Sequence, residues 1–436
     1  MNNKKIIIFW FRRDLRLDDN TGLFHSLKKD VPVLPLFIFD NNILRDLPKK
    51  DKRVEFIHQN LFDIHKQLAK TGSSLLVKIG DPSHVWRELT DNYEIESVYA
   101  NSDYEPYAVE RDRRIKEFLH SKSISFHLYK DQVIFEKNEI TKKDGDSYSV
   151  FTPYKNTWKK KFVDENPLSF YDTRELFTNF YHFKLDHFPT LKQLGFEQTG
   201  ATFTDKRIPE DVIKNYHHTR DYPYLDGTTR LGIHLRFGTV SIRECMEKGF
   251  HLNETWFDEL IWREFYMMVL HNYPQVINNS FRKKYDQLPW RNNATEFELW
   301  SKGQTGFPFI DAGMRELNET GFMHNRVRMA GASFLVKNLL IDWRWGERYF
   351  AEKLLDYELS SNNGNWQWAA GTGCDAAPYF RVFNPNTQMQ KYDPDQRYVK
   401  KWLPEYGTSD YPEQMVDLKA TRQRAIETYK SVASKK

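Results

Sequence analysis

Across residues 1–130, short β-branched runs at 6–11, 31–39, 75–79, 97–100 and 125–128 alternate with segments at 54–68, 84–89 and 109–119 whose apolar residues recur every three or four positions. Strand, helix, strand in repetition buries both faces of its strands as a parallel sheet with helices on either side. The pattern predicts a doubly wound α/β domain over 1–130. No dinucleotide fingerprint follows its first strand, because Phe11 runs into Arg12-Arg13-Asp14-Leu15-Arg16 where G-x-G-x-x-G would stand. The crevice at the carboxyl ends of such strands is still open to another ligand. Residues 131–205 lose periodicity, carry polar clusters such as Lys142-Lys143-Asp144-Gly145-Asp146, and read as a long interdomain connection over the surface. From 206 to 436 the strand signal nearly vanishes. Helical patterns at 257–270, 311–318, 326–341, 347–355 and 415–430 predict an all-helical second domain.

Composition excludes several function classes. The formal net charge of the 436 residues is +4, from 64 Lys+Arg against 60 Asp+Glu, which permits a nucleic-acid partner without demanding one. Two cysteines, Cys245 and Cys374, are too few for a disulfide framework, a four-cysteine zinc site or a four-cysteine iron–sulfur cluster, and favour a reducing, cytoplasmic home. The apolar run Ile6 to Phe11 is too short for a signal-peptide core or a membrane span, so no membrane association is expected. P-loop, zincin, serine-hydrolase and C-x-x-C motifs are missing. His217-His218 reads as a surface pair, Gly371-Thr372-Gly373 as a helix-terminating turn, and no metal site is expected.

The aromatic content is high, at 15%, and nine of the twelve tryptophans fall after position 250. Helical spacing puts Glu259 and Trp262 on one face, and groups Asn325, Arg328 and Met329 while sending Arg326 elsewhere. Trp366 and Trp368 lie about 200° apart around a helix, and on that ground are not expected to serve one site. Each segment alone reads as aromatics filling a core beside surface arginines. Stacking rings, amides and arginines together in one helical domain make a kit for unstacked bases or a flat ring cofactor.

FWFRRDLRLDDN, GTTRLGIHLRFG, ELIWREFY, GFPFIDAGMRELNETGFMHNRVRM, SFLVKNLLIDWRWGERYF and NNGNWQWAAGTGCDAAPYFRVFNP resemble, in family order and over essentially the whole chain, the motifs of the DNA photolyase and cryptochrome flavoproteins. The resemblance is greatest to the class I cyclobutane pyrimidine dimer photolyases. It implies an α/β antenna domain joined to a helical FAD-binding catalytic domain. Cofactor contacts then fall on Tyr216, Thr228, Thr229, Arg230, Leu231 and Gly232, and on Arg328, Asp356, Glu358 and Asn362. The Gly227-Thr228-Thr229 turn would offer donors to the diphosphate at a helix start, and Gly232 departs from the serine common at the end of that loop.

The same resemblance implies light-driven electron transfer from reduced FAD to a flipped-out dimer in UV-damaged DNA. Glu259 becomes the acid that hydrogen-bonds the dimer, Trp262 and Trp368 its stacking plates, Asn325 a bridge from flavin to lesion, and Met329 part of the pocket. Arg220, Arg326 and Gln388 would hold the DNA backbone, and Trp366, Trp343 and Trp290 would carry electrons to the flavin. Glu105 resembles a position that contacts a methenyltetrahydrofolate antenna, with 8-hydroxy-deazaflavin or FMN as alternatives. Asn325 and Met329 look like the dimer-repair version of a segment that carries histidines in (6-4) photoproduct enzymes. A blue-light-sensing cryptochrome without repair activity is the alternative reading, and the family implies a monomer.

Overall fold

The computed structural model describes residues 5–185 and 187–433. Five parallel strands, β1 (Ile6–Phe11), β2 (Val33–Asp40), β3 (Leu76–Gly80), β4 (Ile95–Asn101) and β5 (Ser125–Tyr129), form one sheet in the order β3-β2-β1-β4-β5. The order is that of a doubly wound sheet, as the alternating pattern predicts. IIIFWF and VLPLFIFD are buried along their whole length, because parallel strands covered on both faces need apolar residues in both registers. Between the strands run α1 (Thr21–Leu27), α2 (Asn41–Leu44), α3 (Lys52–Ala69), α4 (Pro82–Asn92) and α5 (Pro106–Ser121). Asn20, Asp51 and Asp81 cap α1, α3 and α4 through side-chain oxygens, and Pro82 and Pro106 open their helices, where a missing N–H costs nothing. The sequence pattern marks neither α1 nor α2, since seven and four residues are too short to show a period.

The chain crosses between two compact units more often than the division into 1–130, 131–205 and 206–436 allows. One unit holds residues up to Glu136, Asp164–Ile208 and Arg230–Lys248; the other holds Lys137–Val163, Pro209–Thr229 and everything from Gly249. The 131–205 stretch is therefore not a single connection. It contains α6 (Phe151–Glu165), whose buried Phe151, Tyr154, Trp158 and Phe162 recur at helical spacing beneath a cover of lysines that hides the period. Trp158 Nε1 donates to Glu264 at 2.6 Å in the helical unit. The following segment returns to the sheet, where the Tyr181 N–H donates to the Val33 carbonyl at 2.8 Å and Phe180 is buried. Next along the chain, α7 (Glu210–Thr219) belongs to the helical unit, whereas α8 (Gly232–Phe237) and most of α9 (Ile242–Leu252) belong to the sheet unit.

The helical unit continues through α10 (Glu254–Asn272), α11 (Ala294–Lys302), α12 (Pro308–Thr320), α13 (Asn325–Ser333), α14 (Trp343–Lys353), α15 (Leu359–Ala370), α16 (Pro385–Tyr392), α17 (Arg397–Trp402) and α18 (Leu418–Ala433). Its core gathers Trp300, Phe307, Phe309, Trp343, Phe350 and Trp366. The expected helix at 326–341 is interrupted: α13 passes into one wide turn at Phe334–Asn338, and Leu340 takes a left-handed φ of 54°. That turn buries Lys337, whose Nζ donates to the Ala370 carbonyl at 2.9 Å, at the end of α15, and lies 3.6 Å from the Tyr429 ring centre. Burial pushes the Lys337 ammonium down to about 7. Among the described residues no helix is long and apolar enough to cross a membrane.

Candidate active site

Three helices of the second unit position the predicted side chains. Helix α10 presents Glu259, Trp262, Arg263 and Tyr266 at successive helical steps, so all four line one cavity of about 310 Å³. Helix α15 approaches α10 through Gly364, where a Cβ would stand 2.2 Å from the Tyr266 ring. Helix α13 starts at His324, whose Nδ1 accepts the Arg326 N–H at 3.2 Å. Burial, with Arg326 and Arg328 nearby, holds His324 down to about 4, so it is neutral at neutral pH and keeps the lone pair this cap needs.

A second cavity, lined by Arg328, Asp356, Asn362 and Trp366 among others, shares Asn325, Met329, Ser361, Asn365 and Trp368 with the first. Arg328 grips Asp356 through both terminal nitrogens, at 3.2 and 2.9 Å, while its Nε donates to the Met323 carbonyl at 2.7 Å. All of the guanidinium's geometry is thus fixed. Asn362 donates through Nδ2 to the Glu347 carbonyl at 2.9 Å and to its Oε1 at 2.8 Å, which holds the amide in one orientation. Burial raises the Glu347 carboxyl above its ordinary value. Glu358 borders this cavity and pairs at 3.2 Å with Arg263, which borders the other.

Glu259 is bound by Arg220, Nη1 to Oε1 at 2.6 Å. Loss of water raises the Glu259 carboxyl above its ordinary value, against the lowering effect of Arg220. Arg326 pairs with Asp221 and lies 4.4 Å from the Tyr392 ring centre. It borders neither cavity, as the helical spacing predicts. Gln388, on α16, borders neither as well.

Trp366 and Trp368 do not divide as their spacing suggests. Both border the second cavity, and only Trp368 borders the first. A cavity lying along a helix is wide enough to be reached by two long side chains from opposite flanks. Trp366 and Trp343 are buried in one core, with Trp290 partly exposed against it. Gly346 on α14 lets Trp366 in, since a Cβ there would stand 2.1 Å from its ring.

Several functional neighbours escaped sequence reasoning. Phe151, from the stretch read as a connection, stacks on Trp262 with ring centres 3.5 Å apart and planes 10° from parallel, covering one face of that indole. Asn365 and Ser361 stand on the wall common to both cavities, and Tyr266 donates to Asn365 Oδ1 at 3.4 Å. Arg263 and Tyr266 lie four and seven residues beyond Glu259, so its helical period could have found them; nothing local marks Phe151.

Of the residues expected to hold the cofactor's phosphates, Tyr216, Thr228 and Thr229 belong to the helical unit, and Arg230, Leu231 and Gly232 to the other. The Gly227-Thr228-Thr229 turn precedes a helix that begins at Gly232, after Arg230 in a left-handed turn with φ of 50°. Gly227 is held by the Thr219 hydroxyl, which donates to its carbonyl at 2.9 Å. Glu105 lies in the sheet unit, and its Oε1 accepts from Arg13 at 3.2 Å and Arg236 at 2.8 Å.

Residues 7–170 match the family model for DNA photolyase, and residues 256–409 match that for the FAD binding domain of DNA photolyase. The deoxyribodipyrimidine photo-lyase of a Synechococcus strain is 36% identical over 92% of this chain and 88% of its own length. The chain belongs to the DNA photolyase family. Among solved structures, the family's archaeal photolyase from Sulfolobus tokodaii, which carries two FAD molecules, superposes with a TM-score of 0.82 at 34% identity, over 98% of this chain and 99% of that one. A cryptochrome from Synechocystis superposes with a TM-score of 0.85 at 27% identity, over 98% and 100%. The second cavity fits the family's FAD: the immobilised Arg328–Asp356 pair and the Asn362 amide offer polar contacts to a ring system, and Phe350, Trp366 and Trp368 an aromatic wall.

Proposed function

We propose that this protein repairs cyclobutane pyrimidine dimers in DNA by a light-driven electron transfer. The observation that carries the reading is the wall of Asn325, Met329, Ser361, Asn365 and Trp368 common to two cavities, one suited to a flavin ring and the other edged by Glu259 and Trp262. FAD, when bound and reduced, would supply the light-driven electron for opening the cyclobutane ring. Every other task falls to the chain. Arg328, Asp356, Glu358 and Asn362 surround the ring, and Tyr216, Thr228, Thr229, Arg230, Leu231 and Gly232 hold the rest of the cofactor. Trp262 and Trp368 stack on the flipped dimer, at roughly 1–3 kcal/mol per base. Asn325 and Met329 complete its pocket, and Glu259 hydrogen-bonds the pyrimidine carbonyl where negative charge gathers. Arg220, Arg326 and Gln388 bind the DNA backbone. Trp366, Trp343 and Trp290 relay electrons from the surface when the flavin is oxidised.

A methenyltetrahydrofolate antenna beside Glu105 is our assignment for the light-harvesting chromophore, supported by a carboxylate already fixed by two arginines. A second flavin, as in the Sulfolobus photolyase, is the competing occupant. We assign the protein to the cytoplasm as a monomer, the first on the strength of a sequence with only two cysteines.

The test is recovery of thymine absorbance when the reduced, flavin-loaded protein is illuminated with dimer-containing oligothymidine. Recovery that needs light and fails in Glu259→Ala supports repair through this pocket. A photoreducible flavoprotein that leaves the dimers intact would return the signalling reading to first place.

A further inference from the structure

In the free protein Glu259 cannot present a bare carboxylate to a ligand, because Oε1 is held by Arg220 at 2.6 Å. Among the described residues Arg220 is the cation that pairs with it. Asp221, 3.8 Å from the Nε of that guanidinium, and Asp258, its chain neighbour, both act on Glu259 as like charges. Asp258 is itself held by Lys155 and Lys159 of α6, and Asp221 by Arg326 of α13. Tyr216 of α7 and Tyr266 of α10 also face the carboxyl, and burial keeps both phenols protonated. Arg263, on the same cavity wall, is engaged by Glu358. The bridge to Arg220 therefore favours the ionised carboxyl, while loss of water and the neighbouring aspartates favour its acid form.

Arg220 and Glu259 both line the cavity a dimer would fill. A ligand there expels the water that solvates the carboxylate, and an arriving phosphate offers Arg220 a second charge-assisted partner. The electron that later enters the pyrimidine puts negative charge on its carbonyl, where a carboxylate would repel and a carboxylic acid would donate a hydrogen bond. Resting on the repair reading, we propose that dimer binding opens the Arg220–Glu259 bridge, that Arg220 passes to a DNA phosphate, and that Glu259 takes up one proton from solvent. The carboxylate becomes a carboxylic acid, no electron moves, and the proton returns to solvent when the repaired strand leaves and the bridge re-forms.

Calorimetric titration of the flavin-loaded protein in the dark tests this. Dimer-containing and undamaged oligothymidine are compared at neutral pH in phosphate and in Tris, whose heats of ionisation differ. The expected result is about one proton taken up per dimer beyond the undamaged control, with dimer affinity falling about tenfold per pH unit on the alkaline side. Glu259→Gln should keep some preference for the dimer and lose the uptake. Arg220→Met should diminish it too, since without its cation the carboxyl has less charge stabilisation to lose when the ligand arrives. Selective dimer binding with equal heats in both buffers, or undiminished uptake in either variant, overturns the proposal. Equal affinity for dimer and undamaged strands would instead remove the repair reading on which it rests.

Discussion

Lys337 gives the sharpest stability prediction, because it buries an ammonium for which the fold supplies few partners. Its group is held down to about 7 in the folded chain, against 10.5 when solvated. At about 1.36 kcal/mol per pH unit, that gap makes the charged lysine roughly 5 kcal/mol less favourable folded than unfolded. The unfolded chain holds the extra proton between pH 7 and 10.5, so stability rises with pH through that window and the penalty is fully present below it. The hydrogen bond to the Ala370 carbonyl and the Tyr429 ring act on the same charged form, so that gap is what remains after their attraction. Lys337→Met removes the titrating group, so relative to it the wild type should gain about 1 kcal/mol between pH 7 and 8 and roughly 1.4 kcal/mol for each further pH unit, up to about pH 10.5, as its folded lysine sheds the proton. Thermal melts of both proteins across pH 6.5–9.5 make the comparison, since other titrating groups cancel in the difference. Parallel curves would show that Lys337 keeps an ordinary pKa and would refute the reasoning.

Other expectations follow from the same contacts. Trp366→Phe should block photoreduction of the oxidised flavin while leaving repair by chemically reduced protein, as read by flavin absorbance under illumination. Gly346→Ala forces a methyl against the Trp366 ring and should cost about 1–3 kcal/mol, lowering the melting temperature and loosening bound flavin. Phe151→Ala removes the ring stacked on Trp262 and should weaken dimer binding by about 0.5–1.5 kcal/mol in a filter-binding or fluorescence titration, with flavin content unchanged.

Periodicity determined the sheet: strands of two-sided apolar sequence between helical segments admit few arrangements other than a parallel, doubly wound one. Local spacing also grouped Asn325, Arg328 and Met329, and set Arg326 apart, because residues three and four apart on a helix share a face wherever that helix goes. The sequence motifs further pointed to the family, and through it to the site residues. What only the tertiary structure decided were relations between distant segments. Phe151 meets Trp262 because α6 packs into the helical unit, and that partnership leaves no mark in its neighbours along the chain. Arg220 and Glu259 were read as separate contacts to DNA and lesion, yet they bind each other. Trp366 and Trp368 border one cavity despite their angular separation. The units themselves interleave along the chain. A helical period records which side of an element is buried; it carries no information about which other element does the burying, and that is where the electrostatics of this site arise.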